Sequence, residues 1–339
     1  MKQLSYVIVG SGYRAAFYGR IASRYPDLFR AMFYSRSEEK AKAIHAASGL
    51  PASSSVQECL AFRPDFAVIA VTKAAIADVA EQWLQMGLPA ALETPASNTP
   101  ARLNRIWELS RQEPAKITVF EQYYRYPVLA AGLKAVTDGK IGTPQSVMIS
   151  LAHDYHAASL IRRILHTEGE DFILTGMRQQ NHVTETDSRY GPVNDGRMAV
   201  KNRDTILFRY ASGKTAVYDF CGVQYHSFIR SRHLTVRGDR GEWCHRMLSY
   251  VNPDHRIVQE PVMPLIEKQY QHLDTKALQE ERRTWSPFLQ LSDSQDEFAI
   301  AAMLWDMREY LECGKEAYPL KEALTHPGKT VVSEKQIWE

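Results

Sequence analysis

The sequence predicts an α/β fold in two parts: a doubly wound parallel sheet over 1–122, then over 123–339 an α/β domain with a large open, mainly antiparallel sheet. Three observations carry this reading. An apolar run, Tyr6-Val7-Ile8-Val9, feeds directly into a Gly-x-Gly-x-x-Ala turn spanning Gly10 to Ala15. Apolar strands then alternate with amphipathic helices, the βαβ order of a parallel sheet. Past about residue 122 the pattern changes to alternating segments separated by turn residues, which suits an antiparallel sheet.

In chain order, Tyr6–Val9 is the first buried strand. Gly10 permits a tight turn as the chain leaves it, Gly12 lets the backbone approach a pyrophosphate with no Cβ in the way, and Ala15 is small enough for close packing of helix on strand. The helix from Arg14 to Arg24 offers unpaired amides and a positive dipole end to phosphates. Gly10, Ser11, Gly12, Tyr13 and Arg14 are therefore the candidate phosphate-binding turn of a Rossmann domain. The second strand, Leu28–Tyr34, ends where such a fold usually places an acid for the adenosine ribose, about 20 residues past the turn. Here the chain has Ser35-Arg36. A hydroxyl and a fixed cation suit a 2'-phosphate, which favours NADP over NAD. The alternative is that Ser35 or Ser37 caps the helix Glu38–Ala47.

The strand Asp65–Val71 follows, with Thr72 just past it as a further cofactor-contact candidate, then a helix from Ala74 to Gly87. Pro89–Glu93 is the next strand, Pro100–Arg111 a helix, and Ile117–Glu121 another strand. A helix Val128–Thr137 leads through the turn-rich Asp138–Pro144 into strands at Gln145–Leu151, Asp204–Tyr210, Thr215–Gly222 and His233–Gly238. A late helix begins at a capping box, Ser294-x-x-Glu297, and runs to Gly314.

Composition excludes several function classes. With 339 residues, 45% of them hydrophobic, the chain suits about two packed domains. Its 41 basic and 39 acidic residues leave no field that points to nucleic acid or an anionic membrane, so small molecules are the expected partners. Cys59, Cys221, Cys244 and Cys313 form no Cys-x-x-Cys pair, which argues against zinc and fits reduced cytoplasmic thiols. The apolar stretch after Lys2 is too short for a signal peptide, and no apolar run approaches the roughly 20 residues of a membrane helix.

The glycine turn, Glu93-Thr94-Pro95, Glu121-Gln122-Tyr123-Tyr124-Arg125-Tyr126-Pro127, Gly139-Lys140-Ile141-Gly142 and His156 opening a helix together resemble the Gfo/Idh/MocA oxidoreductases, a family named for glucose-fructose oxidoreductase and inositol dehydrogenase. The resemblance covers nearly the whole chain in order and spacing. It implies hydride transfer between NAD(P) and a hydroxyl-bearing carbon of a sugar or polyol in a cleft between two domains, and a homodimer or homotetramer formed through the second domain's sheet. It also implies His156 as acid/base, Glu93 as a neighbour of the nicotinamide ribose, Thr94 at the cofactor, and Tyr123 at the nicotinamide end.

Departures from the family pattern matter as much. The usual Glu-Lys-Pro lysine is replaced by Thr94, and the acid that often stands four residues before the histidine is Ala152. After Tyr318–Leu324 the family continues with a helix, whereas Thr325-His326-Pro327-Gly328-Lys329 reads as a turn toward Val331-Val332, so a covering element is short or absent.

In His153-Asp154-Tyr155-His156, an imidazole titrates near neutral pH and can exchange the hydroxyl proton, Asp154 is placed to orient a histidine, and Tyr155 to donate to a developing alkoxide. His156 and Tyr155 are the catalytic candidates. A plain polar strand end capping a helix is the competing reading. No metal ligand cluster accompanies the histidines. Arg162-Arg163 is a weaker anion clamp, and the stretch His226 to His233 is undecided between substrate contact and subunit contact. An NAD(P)-dependent oxidoreductase is expected. The alternatives are a redox-neutral, NAD-dependent glycoside-cleaving enzyme and an NAD(P)-binding regulatory protein that has lost catalysis, which the missing lysine permits.

Overall fold

The structure, a computed structural model, describes residues 3–97, 99–112, 116–283 and 291–324. The turn expected at 325–329 lies outside them. The first 125 residues run β1 (Leu4–Val9), α1 (Tyr13–Arg24), β2 (Phe29–Tyr34), α2 (Glu38–Ser48), β3 (Ala52–Ser53), α3 (Val56–Ala61), β4 (Phe66–Ile69), α4 (Ile76–Gln85), β5 (Ala90–Leu92), α5 (Pro100–Ser110) and β6 (Ile117–Val119). The six strands form a parallel sheet in the order β3-β2-β1-β4-β5-β6, the doubly wound order read from the sequence. β1, β4 and β5 are buried along their whole length, as strands covered by helices on both faces must be. The short β3 and α3 were not anticipated from the sequence. Ser55 caps α3, accepting from the Glu58 amide at 3.3 Å.

The chain then forms α6 (Pro127–Thr137), β7 (Pro144–Ser150), α7 (Asp154–Leu165), β8 (Phe172–Thr184), β9 (Asp187–Ser188), β10 (Gly191–Pro192), β11 (Met198–Tyr210), β12 (Thr215–Cys221), β13 (His233–Gly238), β14 (Gly241–Cys244), β15 (Met247–Val251), β16 (Ile257–Pro261) and α8 (Lys276–Arg283). Eight of these strands make a sheet in the order β16-β15-β14-β13-β7-β12-β11-β8, antiparallel except for β7 beside β12. One register row, Leu174, Phe208, Ala216, Val147, Val236, Trp243 and Leu248, crosses seven strands and is buried throughout. This face carries the helices: α7 packs on β7 and β12, and Gly132 of α6 lies against the Trp243 ring. The opposite face exposes Met148, Ile173, Met177, Leu207, Val251 and Ile257.

The last helices, α9 (Asp293–Cys313) and α10 (Leu320–Ala323), correct the expected boundary at 122/123. Two compact units form. The first takes the described residues of 1–125 together with 269–273 and 293–324, and the second takes 126–268 and the described part of 274–292. The late helix thus belongs to the nucleotide-binding unit. Ion pairs hold it there: Arg20 reaches Glu297 at 2.7 Å, Arg24 binds the other oxygen of the same carboxylate, and Arg125 reaches Asp306 at 2.8 Å. Tyr270 donates to the same Asp306 at 2.7 Å, tying in the short 269–273 segment. The expected capping box yields to these contacts. α9 already begins at Asp293, and Glu297 is spent on two arginines instead of reaching back to the helix start.

Candidate functional site

The glycine turn joins β1 to α1. Gly10 has φ of 142°, and a Cβ there would collide with the Ala70 carbonyl, so glycine is required. Gly12 is the N-cap of α1 and supplies no side chain to its amides; a Cβ built on it meets nothing within 4 Å. An open approach to a helix start whose amides lack a side-chain cap is the arrangement a pyrophosphate needs, so these residues fit a dinucleotide. Ser11 and Tyr13 are exposed at the turn. Arg14 is committed elsewhere, with Nη1 on Asp296 at 2.7 Å and Nε on Glu93 at 3.3 Å. Its charge fixes the turn to β5 and α9.

At the end of β2 the two readings of the serines separate. Ser37 caps α2, its hydroxyl accepting from the Lys40 amide at 3.3 Å. Ser35 is buried beside β3, its amide bonded to the Ser53 carbonyl at 3.0 Å. Arg36 is exposed and makes no ion pair or hydrogen bond among the described residues. Thr72 is exposed beyond β4, its carbonyl accepting from the Ala75 amide at 2.8 Å.

Glu93 follows β5 and is 7% exposed. One carboxylate oxygen accepts from the Tyr18 hydroxyl at 2.6 Å, the other from the Thr94 amide at 3.0 Å. Burial, reinforced by the Glu93 charge, drives the Tyr18 pKa far upward, so the phenol stays a donor. Gln122 joins the network by donating to Asp296 at 3.2 Å. Tyr123 is buried, and its amide donates to the Glu121 carboxylate at 3.2 Å. Glu93 is thus a buried, fully bonded carboxylate that sets the local frame, with Gln122 of the Glu121–Pro127 motif in it and Tyr18 and Asp296 as members which sequence reasoning missed. Nothing local in the sequence marks those two, because the network joins α1, β5 and α9.

In the second unit, His153 is the N-cap residue of α7, and its amide donates to the Tyr225 hydroxyl at 2.8 Å. His156 lies one turn further and is 3% exposed, its ring 4.3 Å from that of Tyr155. Asp154 does not orient a histidine: its Oδ1 accepts from the Tyr155 amide at 3.0 Å, a first-turn contact that the helix dipole favours. Arg162 and Arg163 sit in the last turn of α7, at the end of the helix away from His156.

Two residues the sequence did not single out complete this end. Gln224 is buried and accepts from the Cys221 amide at 2.9 Å while donating to Ser150 at 3.0 Å and the Ser231 carbonyl at 2.8 Å. It thereby pins the 3-10 turn Gly222–Tyr225 against β7. Tyr225 packs on His153 at 4.8 Å and Phe220 at 5.1 Å, with the Arg232 guanidinium 4.8 Å over its ring. In the His226–His233 stretch, His226 lies 3.8 Å from Asp187 and Ser231 is 2.8 Å from the His233 ring. Among the described residues no group of three His, Cys, Asp or Glu is placed to hold a metal, and no helix is long and apolar enough to cross a membrane.

Residues 4–121 match the GFO_IDH_MocA model, an oxidoreductase family with an NAD-binding Rossmann fold. No curated protein sequence matches the chain. Solved structures resemble it over nearly its whole length. An oxidoreductase from Agrobacterium radiobacter, in complex with NAD+, L-tartaric acid and magnesium, has a TM-score of 0.67 at 15% identity, covering 95% of this chain and 93% of that one. Levoglucosan dehydrogenase with NADH and levoglucosan has 0.67 at 14%, covering 95% and 94%. The WlbA dehydrogenase from Bordetella pertussis with NADH and UDP-GlcNAcA has 0.64 at 14%, covering 95% and 92%. At these identities the likeness is one of fold.

Proposed function

We propose that the chain, whose residues 4–121 match the Gfo/Idh/MocA oxidoreductase model, is an NAD(P)-dependent dehydrogenase or reductase of a sugar, polyol or related hydroxyl or keto compound. The observation that carries this reading is the glycine turn, with an open approach at Gly12 and the amides of α1 unclaimed by any side-chain cap. When bound, NAD(P) supplies the hydride acceptor or donor. The chain's own part is to hold the phosphates at Gly10, Ser11, Gly12 and Tyr13, and to fix the segment around Thr94 through the Glu93 network. His156 takes up or returns the substrate hydroxyl proton, with Tyr155 packed on it as a candidate donor.

Ser35 and Arg36 support NADP over NAD, because capping of α2 is done by Ser37 and the Arg36 guanidinium has no partner of its own among the described residues. The exposed apolar face of the second unit's sheet supports a homo-oligomer built on it. Free cysteines at Cys59, Cys221, Cys244 and Cys313 support a cytoplasmic setting.

The test is nicotinamide absorbance over a panel of sugars, polyols and their keto forms with both cofactors. Turnover of a panel member with stoichiometric nicotinamide change supports the reading. Thr94 in place of lysine favours a second one, a redox-neutral glycoside cleavage in which bound NAD is regenerated. Product formation without added cofactor and without net absorbance change would select it. Tight cofactor binding without any turnover would select a regulatory protein.

A further inference from the structure

Arg246 stands in the turn His245-Arg246 between β14 and β15 and is 5% exposed. Its guanidinium nitrogens Nε and Nη2 are buried without a hydrogen-bond partner, and among the described residues no carboxylate pairs with the side chain and no aromatic ring stacks on it. Arg125 and Arg203, also partly buried, each face an aspartate instead: Asp306 at 2.8 Å and Asp219 at 2.6 Å. Burial pulls the Arg246 pKa below the ordinary arginine value, and no neighbouring charge counters that. Arginine still keeps its proton in the range where proteins work, so the fold encloses a full positive charge with no counter-charge. An enclosed, unmatched ion is strongly unfavourable, which makes an anion from outside the chain the expected partner.

The contacts that hold the turn bring further positive character and no acid. The Arg246 carbonyl accepts from the Val262 amide at 2.7 Å; a little further on, the Leu265 amide donates at 2.8 Å to the carbonyl of Pro127, the first residue of α6. The start of α6 is thereby tied to the Arg246 turn, and the helix runs back over β14, where Gly132 meets the Trp243 ring. Its N-cap residue, Tyr126, supplies no side-chain cap, so the helix contributes the positive end of its dipole here. On the other side the His245 amide donates to the Leu234 carbonyl of β13 at 2.9 Å. The His233 and His245 rings lie 5.1 Å apart, and His233 is in register with Ser150, the last residue of β7. The Arg246 turn and the start of α7 therefore lie at the same end of one sheet, with β13 between β14 and β7.

We propose that Arg246 is the seat of an oxyanion, a carboxylate or phosphate group carried by a small molecule, with Nη1 as the donor. Nη1 is the guanidinium nitrogen that is not enclosed, and because the charge is delocalised over the whole group an anion bonded there offsets all of it. A neutral hydroxyl would leave the enclosed charge unmatched. Two carriers share the chemistry: an acidic substituent of the substrate, and free inorganic phosphate acting as an effector. The shared sheet end with α7 favours the first. That choice rests on the reading of the substrate as carbohydrate-like and narrows it to a sugar acid or sugar phosphate, whereas the seat itself stands without that reading.

The test titrates D-gluconate, D-glucuronate, D-glucose 6-phosphate, inorganic phosphate and neutral D-glucose by calorimetry, with and without saturating NADPH, into wild type, Arg246→Met and Arg246→Lys. At least one anion is expected to bind wild type and to bind Arg246→Met about 10- to 100-fold more weakly, the ordinary range for a charged hydrogen bond. Arg246→Lys should regain part of that loss, since it restores the charge without the planar fork. D-glucose should not distinguish the three proteins. Melting temperature is the independent readout: Arg246→Met removes an unmatched charge, so without anion it should melt at or above wild type, and the anion should raise the melting temperature of wild type far more than that of the variant. No binding of any anion to wild type, equal binding to all three proteins, or an Arg246→Met that melts well below wild type overturns the proposal. Inorganic phosphate that binds through Arg246 while no sugar acid or sugar phosphate does so supports the seat and removes the acidic-sugar substrate. Should Arg246→Met fail to fold, a crystal structure of wild type grown with the tightest-binding anion decides: an oxyanion oxygen within about 3.2 Å of Nη1 supports the seat, and a carboxylate of the chain itself on the guanidinium, or water alone, overturns it.

Discussion

Replacing Arg36 by alanine separates the two cofactors with little risk to the fold. The guanidinium is exposed and engages no other described residue, so its removal deletes no contact that stabilises the sheet. Ser35 beside it is buried and held by the Ser53 carbonyl, which fixes the backbone that would present both groups to a 2'-phosphate. A charge-assisted pair of this kind is strong when enclosed, but an exposed one is partly screened by water. The expected loss is therefore moderate: NADPH affinity falls about 5- to 30-fold, while NADH affinity stays within about twofold. Salt supplies an independent check. Raising ionic strength from about 0.1 M to about 1 M shortens the Debye length from about 10 Å to about 3 Å, so the wild-type preference for NADPH should shrink and the variant should hardly respond. Calorimetric titration of both cofactors at both salt levels measures all of this. Equal loss for NADH and NADPH, or a wild type that prefers NADH, would refute the assignment and leave the fold untouched.

His156→Asn should leave cofactor affinity intact and lower turnover about 10²- to 10⁴-fold, with His153→Asn costing less; steady-state rates on an active panel compound decide it, and a wild-type rate in the His156 variant moves the proton step to Tyr155 or Tyr123. Thr94→Lys adds an ammonium that must be desolvated beside the Glu93 and Arg14 network, so no gain in nicotinamide turnover is expected; a variant that gains activity over an inactive parent would instead identify the wild type as a degenerate enzyme. Burial, and then the neighbouring His233, lowers the His245 pKa below its ordinary 6.5. The folded state then binds fewer protons than the unfolded one, so this stabilisation is complete above about pH 6.5 and is lost as pH falls toward the lowered value. The fall in melting temperature between about pH 7.5 and about pH 5.5 should consequently be smaller in His245→Gln, and an equal fall in both proteins would remove His245 as the cause.

The parts of the fold that could be read in the sequence are those whose signal is local. The turn at Gly10–Ala15, the all-apolar β1 and β4, and the cap at Ser37 each announce themselves within a few residues. β8 does not. It is a 13-residue edge strand whose middle, Arg178 to His182, is polar, so neither period-two alternation nor a continuous apolar run is present. β16 is another edge strand with no buried residue, and it leaves equally little trace. The allegiance of α9 could not be read because it depends on Arg20 and Arg24 meeting Glu297 across 277 and 273 residues of chain. At the candidate site, His153 to His156 stood out as a cluster of titratable groups. Gln224 did not, since a glutamine in a turn is ordinary until its bonds to Ser150 and the Ser231 carbonyl are seen.

The return of α9 to the nucleotide-binding unit has a consequence for how the protein is made. When the last strand of the parallel sheet leaves the ribosome, Arg14, Arg20, Arg24 and Arg125 are present but Asp296, Glu297 and Asp306 are not yet synthesised. The nascent domain then carries Arg20, Arg24 and Arg125 without these carboxylates, Arg14 with Glu93 but not Asp296, and an uncovered surface where Phe298, Ile300 and Leu304 will pack. It must wait through the whole of the second unit, at about 5–20 residues per second, before it can close. The earlier half of the chain therefore finishes folding last, and a protein shortened before residue 293 would keep its glycine turn while losing the carboxylate of α9 that holds Arg14 in place.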